Sequence, residues 1–195
     1  MKNNDVLTKK IVAGRFKGKT LRLPSKDTTR SSKAIVLESF FNTIQFDVID
    51  SILVEVFSGS GSIGLEALSR GAKKIIFMEK DRDAIKALRA NIAQTDPSAC
   101  EVVEGDSFAN ITQVKKRLEV LGESAFIYVD PPFSYREGME EIYDKMLQLI
   151  ASFPQELATL IIIEHMSTLE LPESIGIFNR IKSKKFGKTS LTYYA

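Results

Sequence analysis

The sequence predicts an α/β protein built on a doubly wound, mostly parallel sheet. From Ser51 onward, short apolar runs rich in β-branched residues alternate with segments of helical periodicity. Runs of this kind are typical of strands that helices cover on both faces, and their alternation with helices favours parallel pairing. A glycine-rich turn follows the first run directly, as at the start of a βαβ unit. The runs are SILVEVF, KKIIFME, CEVVEG, AFIYVD and TLIIIE.

Helices are predicted before and between these strands. Gly71 and Gly122 follow two of the helical patterns and are expected to end them. After Pro172, two further apolar alternations, GIFNRIKSKKF and TSLTYYA, predict a terminal antiparallel hairpin. The helical segments are TRSSKAIVLESFFNTI, IGLEALSRG, DRDAIKALRANIAQ, NITQVKKRLEVLG and GMEEIYDKMLQLIASF.

The length and composition limit the class of protein. A chain of 195 residues is long enough for one α/β domain with a full core. Its 44% hydrophobic and 27% charged residues are ordinary for a soluble globular protein, and no apolar run is long enough to span a bilayer. The first residues, MKNNDVLTKK, lack the apolar core of a secretory signal, so we expect a cytoplasmic protein. The single cysteine, Cys100, excludes an internal disulfide, and with one histidine, His165, the sequence predicts no metal site.

Positive charge is concentrated at the N-terminus. The first 33 residues hold ten basic and two acidic residues, whereas the other 162 hold seventeen basic and twenty-three acidic residues. Within this part, KKIVAGRFKGKTLRLP alternates apolar and basic residues around Gly14 and Gly18, which predicts a β-hairpin with a basic face. We expect residues 1–30 to form a small basic arm and residues 31–195 to form the main domain. A second basic cluster, consisting of Arg180, Lys182, Lys184, Lys185 and Lys188, lies near the C-terminus.

The turn after the first strand predicts a nucleoside site. Gly59, Gly61 and Gly64 match the pattern G-x-G-x-x-G between a strand and a helix, where the backbone turns tightly and approaches a ligand. Glu79 closes the next strand, twenty residues after Gly59, and is placed to accept hydrogen bonds from ribose hydroxyls. This spacing alone fits a dinucleotide or S-adenosylmethionine equally well.

Acidic residues near the turn favour S-adenosylmethionine. Glu55 precedes the turn by two residues, where a carboxylate repels a pyrophosphate but attracts a charged amino group. After the third strand, Asp106 is placed to bind an adenine amine and Phe108 to contact the adenine face. The predicted cofactor-binding residues are Glu55, Phe57, Gly59, Gly61, Glu79, Lys80, Asp106, Ser107 and Phe108.

The strand AFIYVD ends at Asp130, followed by Pro131, Pro132 and Phe133. Ligands of open α/β sheets bind outside the carboxyl ends of the strands, so Asp130 is expected beside the cofactor. The prolines fix the backbone and donate no N–H, which leaves acceptors exposed. A carboxylate, the Pro131 carbonyl and an aromatic face together suit an exocyclic amine of a nucleobase, whose lone pair must be drawn out of the ring before it attacks a methyl group. We therefore predict that these four residues are catalytic.

Several segments together resemble the RsmD family of bacterial 16S rRNA guanine-N2 methyltransferases. The segments are LVEVFSGSGSIGLEALSRGA, FMEKDRDA, VDPPF, the hairpin KIVAGRFKGKTLRLP and the helix TRSSKAIVLESFFN, so the resemblance covers nearly the whole chain from Lys10. It implies a Rossmann-like class I methyltransferase fold and S-adenosylmethionine as methyl donor. It also implies a flipped guanine of 16S rRNA, guanine 966, as acceptor during small-subunit assembly. Glu55 stands where the family usually has Asp, and Ser31 replaces a usual proline.

The resemblance also implies an RNA-binding role for the basic hairpin. We expect it to hold rRNA phosphates, with Tyr135 stacking on the target base. The predicted RNA-binding residues are Lys10, Arg15, Lys17, Lys19, Arg22, Arg30 and Tyr135.

Three other hypotheses remain open on the residues alone. The geometry of DPPF serves any exocyclic amine, so an adenine-N6 methyltransferase of DNA or RNA is one alternative. The glycine pattern alone also fits a nicotinamide-dependent oxidoreductase. A ribosome-binding module without catalytic activity is the third, and it predicts that Asp130 is dispensable.

Overall fold

Ten strands form within the part of the chain that the computed structural model describes, which is residues 7–24, 31–132 and 141–195 without the side chains of residues 31–33. Two strands make a separate hairpin and eight make one mixed sheet. The strands are β1 (Thr8–Lys10), β2 (Thr20–Arg22), β3 (Ile52–Val56), β4 (Lys74–Glu79), β5 (Cys100–Glu104), β6 (Ala125–Val129), β7 (Ala158–Met166), β8 (Ser174–Ile175), β9 (Phe178–Phe186) and β10 (Thr189–Tyr194).

Five α-helices are defined in the same residues. The side chain of Asp81 accepts hydrogen bonds from the first turn of one helix, and Gly122 ends another in the left-handed conformation. The helices are α1 (Ser31–Thr43), α2 (Ser62–Ser69), α3 (Arg82–Ile92), α4 (Ser107–Leu121) and α5 (Ile142–Ala151), with short 3₁₀ turns at Pro97–Ala99 and Gln155–Leu157.

The large sheet has the order β5-β4-β3-β6-β7-β10-β9-β8. Strands β3 to β7 are parallel to one another, while β10 runs antiparallel to both β7 and β9. The chain moves outward from β3 to β5 and then returns to β6 on the other side of β3. This reversal of strand order creates a crevice at the carboxyl ends of β3 and β6. The predicted doubly wound sheet with a C-terminal antiparallel hairpin is confirmed.

Two apolar clusters cover the two faces of the sheet. Alternate residues of β3 enter different clusters, as the period of a strand requires: Val54 faces α4 and α5, and Leu53 faces α1, α2 and α3. On the second face, Tyr128 of β6 is fully buried and packs against Phe40 of α1, with ring centroids 4.9 Å apart. Residues that follow this face to the carboxyl edge, such as Glu55, therefore lie on the α1 side.

The N-terminal hairpin is docked on α2. Ile11 and Leu21 are buried in the same cluster as α1 and α2. The amides of Val12 and Ala13 donate hydrogen bonds of 2.7 and 3.0 Å to the buried carboxylate of Glu66 in α2. The basic hairpin that the sequence predicts is thus present, and it shares a core with the main domain. No helix in the described ranges is long and apolar enough to cross a membrane.

Candidate active site

A row of carboxylates lies at the carboxyl edge of the sheet. Because β3, β4, β5 and β6 are parallel, the residues at their ends meet at this edge. Glu79 is the last residue of β4, and Asp130 directly follows β6. A cavity of about 650 Å³ opens elsewhere, near Asp50 and Gly122 at the amino edge, and none of the predicted site residues lines it.

The glycine turn connects β3 to α2 in a backbone conformation that requires glycine. Gly61 has φ of 75°, and a Cβ at this position would lie 2.4 Å from Cδ1 of Leu88 in α3. Gly59 also has positive φ, but a Cβ there would meet nothing within 4 Å. The turn therefore packs against α3 at Gly61 and faces open space at Gly59, where a ligand can approach the backbone.

Glu55 holds the start of α2 against the sheet. Its buried carboxylate accepts hydrogen bonds from the amides of Ile63 at 3.2 Å and Gly64 at 2.8 Å. Burial raises the pKa of Glu55 to about 8, although both amides and the charge of Lys9 act to lower it. Glu55 thus satisfies two of the backbone amides at the start of α2. Its predicted contact with the amino group of the cofactor stays a prediction.

Glu79 ties the end of β4 to the same turn. One carboxylate oxygen accepts the amide of Gly59 at 2.7 Å, and the other accepts the amides of Lys80 and Asp81 at 2.8 Å each. Three amides hold the carboxylate in one orientation, so its one remaining lone pair, on the oxygen that accepts Gly59, has a fixed direction. Glu79 therefore offers a rigid acceptor next to Gly59.

The residues that follow β5 gather beside Phe57. Asp106 is the N-cap of α4: its Oδ1 accepts the amides of Phe108 at 2.9 Å and Ala109 at 3.1 Å, while Oδ2 lies 3.8 Å from Nζ of Lys80. The rings of Phe57 and Phe108 are tilted, with centroids 5.4 Å apart. The predicted cofactor residues after β3, β4 and β5 are thus brought together. Ser107 is buried as the first residue of α4.

Asp130 lies directly beside the end of β3. Its amide donates a hydrogen bond of 3.4 Å to the carbonyl of Val56, the residue before Phe57. Pro131 is buried and Pro132 is half-buried. The strand that ends in DPP is therefore adjacent to the glycine turn, as predicted. Phe133 lies outside the described residues.

The predicted RNA-binding residues occupy two ends of the hairpin. Arg22 lies at the open end, where Asn91 connects its backbone to the glycine turn, whereas Lys10 pairs with Thr20 at the loop end of the two strands. Arg15, Lys17 and Lys19 belong to the tip, where the amide of Arg15 donates to the carbonyl of Ser69 at the end of α2. Since α2 runs back from the glycine turn to the amino edge, the tip lies away from Asp130. Arg30 and Tyr135 lie outside the described residues.

The tip residues also have partners within the protein. The guanidinium of Arg15 forms an ion pair of 3.0 Å with Asp96, and the ammonium of Lys19 donates to the carbonyl of Gln94. Both partners follow α3. These two cations are thus partly committed to docking the hairpin.

Three polar residues of the site were missed in the sequence. Asn91 of α3 is fully buried, exchanges hydrogen bonds with the backbone of Arg22, and donates to the carbonyl of Ser60 in the glycine turn. Lys9 reaches Oγ of Ser62 at 3.5 Å. An asparagine in an amphipathic helix and one lysine among many carry no sequence signal that singles them out.

The third missed residue is Glu164 of β7. Its carboxylate is buried and accepts a hydrogen bond of 2.6 Å from the hydroxyl of Tyr128. A signal was present, because the run TLIIIE ends in an acid in the same manner as the run that ends at Asp130.

Comparison with known proteins gives a consistent result. The model of a family described as conserved hypothetical protein 95 matches residues 9–195. A Bacillus subtilis protein, the proposed rRNA methyltransferase YlbH, is 29% identical over 189 residues, covering 95% of this chain and 97% of that protein. Ribosomal RNA small subunit methyltransferase D of Haemophilus influenzae is 32% identical over 137 residues, covering 68% of each chain.

Solved structures show the same fold. The proposed methyltransferase yhhF from Escherichia coli superimposes with a TM-score of 0.76 and 25% identity, covering 96% of this chain and 97% of that one. A more distant protein, SMU.776, is a proposed methyltransferase complexed with S-adenosylhomocysteine, with a TM-score of 0.62 and 13% identity over 92% of this chain and 52% of that one. The Rossmann-like fold of S-adenosylmethionine-dependent methyltransferases is thereby confirmed for the described residues.

Proposed function

The chain belongs to the conserved hypothetical protein 95 family, which is the RsmD family of rRNA methyltransferases, and on this premise we propose that it transfers a methyl group to an exocyclic amine of small-subunit rRNA. The finer proposal is the N2 amine of a guanine, guanine 966, in an assembling small subunit. The resemblance drawn from the sequence is confirmed at the level of the family.

The position of Asp130 is the observation that supports this proposal most strongly. Its amide bonds to Val56, so its carboxylate and the Pro131 carbonyl stand beside the turn where the cofactor is expected. Two acceptors in this position would take both hydrogens of an amine and direct its lone pair at the methyl donor. The amine loses its extra proton during or after the transfer, so Asp130 acts mainly by orientation.

The residues around the glycine turn fit S-adenosylmethionine. The open space at Gly59 gives access to the backbone, and the remaining acceptor site of the oriented Glu79 carboxylate suits a ribose hydroxyl. The side chain of Asp106 is half-exposed, and the neighbouring rings of Phe57 and Phe108 offer aromatic surface. When bound, S-adenosylmethionine supplies an activated methyl group on a sulfonium. We propose that a carboxyl oxygen of Glu55 accepts a hydrogen bond from its amino group.

The same geometry argues against the oxidoreductase hypothesis. A pyrophosphate needs the free amides at the start of the helix after the glycine turn. In this protein the carboxylate of Glu55 already accepts the amides of Ile63 and Gly64. A dinucleotide would therefore find both of these amides already occupied at the position of its phosphates.

Ribosomal RNA as the partner is consistent with the basic hairpin. Arg22 at its open end is placed to reach phosphates near the target base, and Lys10, at the loop end of the two strands, would reach phosphates farther along the RNA. Arg15, Lys17 and Lys19 would contact RNA farther from the base. The proposed substrate implies the cytoplasmic location that the sequence predicts. For Arg30, Phe133 and Tyr135, the roles expected from the sequence are part of the same proposal.

A methylation assay tests the proposal. Small subunits from cells that lack the protein are incubated with the enzyme and labelled S-adenosylmethionine, and the modified nucleoside and its position are mapped. We expect N2-methylguanosine with the wild-type protein and at least a hundredfold slower transfer with Asp130→Asn. Asp47→Asn, an exposed carboxylate at the amino edge, is the matched control and should retain full activity. N6-methyladenosine as product would overturn the guanine assignment, and full activity of Asp130→Asn would exclude its catalytic role.

A further inference from the structure

Glu164 is a buried carboxylate on the same face of the sheet as Asp130. Its hydrogen bond with Tyr128 fixes the side on which it lies, and Asp130 follows Tyr128 by two residues in the same strand. The register between β6 and β7 pairs Val129 with Ile163, so the next pair along the strands is Asp130 and Glu164. Neighbouring strands are about 4.8 Å apart, which places the two residues side by side at the carboxyl edge.

One oxygen of Glu164 is available to a ligand. Oε2 accepts the hydroxyl of Tyr128, whereas Oε1 accepts no hydrogen bond from any described residue. Burial, followed by the charges of Glu164 and Asp130, raises the pKa of Tyr128 well above its ordinary value. The tyrosine therefore keeps its proton and donates a hydrogen bond to Glu164. Oε1 remains a hydrogen-bond acceptor in a buried position. A ligand that offers it no hydrogen-bond donor there would lose binding free energy.

We propose that Oε1 of Glu164 accepts the N1–H of the target guanine, while Asp130 and the Pro131 carbonyl hold its N2 amine. This inference rests on the proposed function and adds the selection of the base. In guanine the ring nitrogen N1, which is bonded to the carbon that carries the N2 amine, holds a hydrogen. In adenine the corresponding ring nitrogen, N1, which is bonded to the carbon that carries the N6 amine, has no hydrogen and is a hydrogen-bond acceptor. A buried carboxylate beside the amine site thus attracts guanine and repels adenine.

Substrates with an altered base test this selection without any mutation. Small subunits are reconstituted with rRNA that carries guanosine, 2,6-diaminopurine riboside or 2-aminopurine riboside at the mapped position. Both analogues keep the N2 amine and lack the hydrogen on N1, and they differ from each other at position 6. We expect the wild-type enzyme to methylate guanosine at least about a hundredfold faster than either analogue. Equal rates for guanosine and both analogues would overturn the inference.

A variant provides the complementary test. In Glu164→Gln the amide oxygen can still accept from Tyr128, which turns the NH2 group toward the base. This donor opposes the N1–H of guanine and suits the bare N1 of the analogues, so the preference for guanosine should fall at least about tenfold. Tyr128→Phe keeps the carboxylate and should keep the preference. Thermal melting and calorimetry with S-adenosylmethionine show whether each variant is folded.

The two hypotheses fail in different ways. If the wild-type enzyme methylates guanosine and Glu164→Gln retains the same selectivity, the role of Glu164 is refuted and the proposed function stands. If the wild-type enzyme methylates none of the three substrates, the proposed function is refuted, and the inference with it.

A separate observation points to a second RNA contact. Lys182 and Lys184 of β9 and Lys188 of the β9–β10 turn, which we call the basic edge, form no ion pair in the described part of the chain. Burial and the neighbouring charge of Lys182 lower the pKa of Lys184, whose ammonium donates a hydrogen bond of 3.2 Å to Oγ of Ser39. Neighbouring positive charges without an acidic partner repel one another and so destabilise the folded state. Such a cluster is also suited to bind an external polyanion.

The basic edge lies at the same edge of the sheet as Asp130. The register continues from Glu164 to Leu191 of β10 and from Leu191 to Lys184 of β9. Lys184 is thus three strands from Asp130, or about 14 Å. The β9–β10 turn bonds to Ser167 just beyond β7, which fixes Lys188 at this edge as well.

The geometry points to the basic edge as a contact for phosphates that flank the target nucleotide. Replacement of all three lysines by glutamine should weaken binding to a 16S rRNA transcript and reduce the slope of log K against log salt by about 2. Lys116→Gln, an exposed lysine on α4, is the control and should leave the slope within about 1 of the wild-type value. An unchanged slope in the triple variant would refute this contact.

Discussion

The docking of the hairpin can be tested with two glycines of the same loop. Gly14 and Gly18 have φ of 79° and 87°, so alanine at either position costs about 1 kcal/mol of backbone strain. At Gly18 a Cβ meets nothing within 4 Å, whereas at Gly14 it would lie 1.7 Å from the carbonyl oxygen of Ser69. Gly14→Ala must therefore displace the tip from α2. The displacement breaks the bonds from the amides of Arg15 and Phe16 to Ser69, each contributing about 1 kcal/mol.

The expected losses of unfolding free energy are thus about 1 kcal/mol for Gly18→Ala and about 3 kcal/mol for Gly14→Ala. Urea unfolding, followed by far-ultraviolet circular dichroism, measures both. Binding of S-adenosylmethionine should change little in either variant, since the glycine turn lies at the other end of α2. Equal losses in the two variants would show that the tip does not rest on Ser69.

The remaining predictions concern the cofactor side of the site. Since the pKa of Glu55 is raised from 4.5 to about 8, the folded protein holds a proton that the unfolded chain has released, so the free energy of unfolding falls as pH rises between these values. Urea unfolding at several pH values gives the free energy of unfolding as a function of pH. Between pH 4.5 and 8 this free energy should fall with pH about 1.4 kcal/mol per pH unit more steeply in the wild type than in Glu55→Gln, and identical slopes would contradict the prediction. In Gly64→Ala the new methyl group would lie 2.5 Å from side-chain atoms of Ile75 and Phe77, which should lower the free energy of unfolding by about 1 to 3 kcal/mol. The variant should also bind S-adenosylmethionine more weakly in calorimetry. Unchanged affinity would refute the link between α2 and the cofactor. Asp106→Ser should keep the helix cap and the melting temperature but weaken cofactor binding, whereas Asp106→Ala should lose about 1 kcal/mol as well; equal affinity of Asp106→Ser and wild type would remove Asp106 from the cofactor site.

The sheet was predictable because its strands are local signals. Each apolar run of the sequence became one strand, and Asp130 could be placed because a proline pair ends a strand wherever it stands. The position of Glu79 followed in the same way, from the order of strands and turns. Residues at the ends of parallel strands are brought together by topology alone.

The contacts that depend on distant partners were not predictable. Glu66 lies in a helix where an acid is normally solvated, yet it is 1% exposed because it accepts amides of the hairpin more than fifty residues earlier. Tyr128 belongs to a run of core residues, and nothing in the run shows that its hydroxyl meets Glu164. The placement of the hairpin tip away from Asp130 likewise depends on the hydrogen bonds between the tip and Ser69. No pattern in the sequence near either partner indicates these bonds.

The bonds of Asn91 give the protein a mechanical connection between its two substrates. One side chain joins the backbone of Arg22 in the hairpin to Ser60 in the glycine turn. A displacement of the hairpin at Arg22, in contrast to one confined to its tip, would therefore reach the turn. By thermodynamic reciprocity, whatever factor such a displacement applies to the affinity for the cofactor, the bound cofactor applies to the affinity for RNA. Asn91 would thereby couple the proposed RNA contact at Arg22 to the proposed cofactor site at the glycine turn.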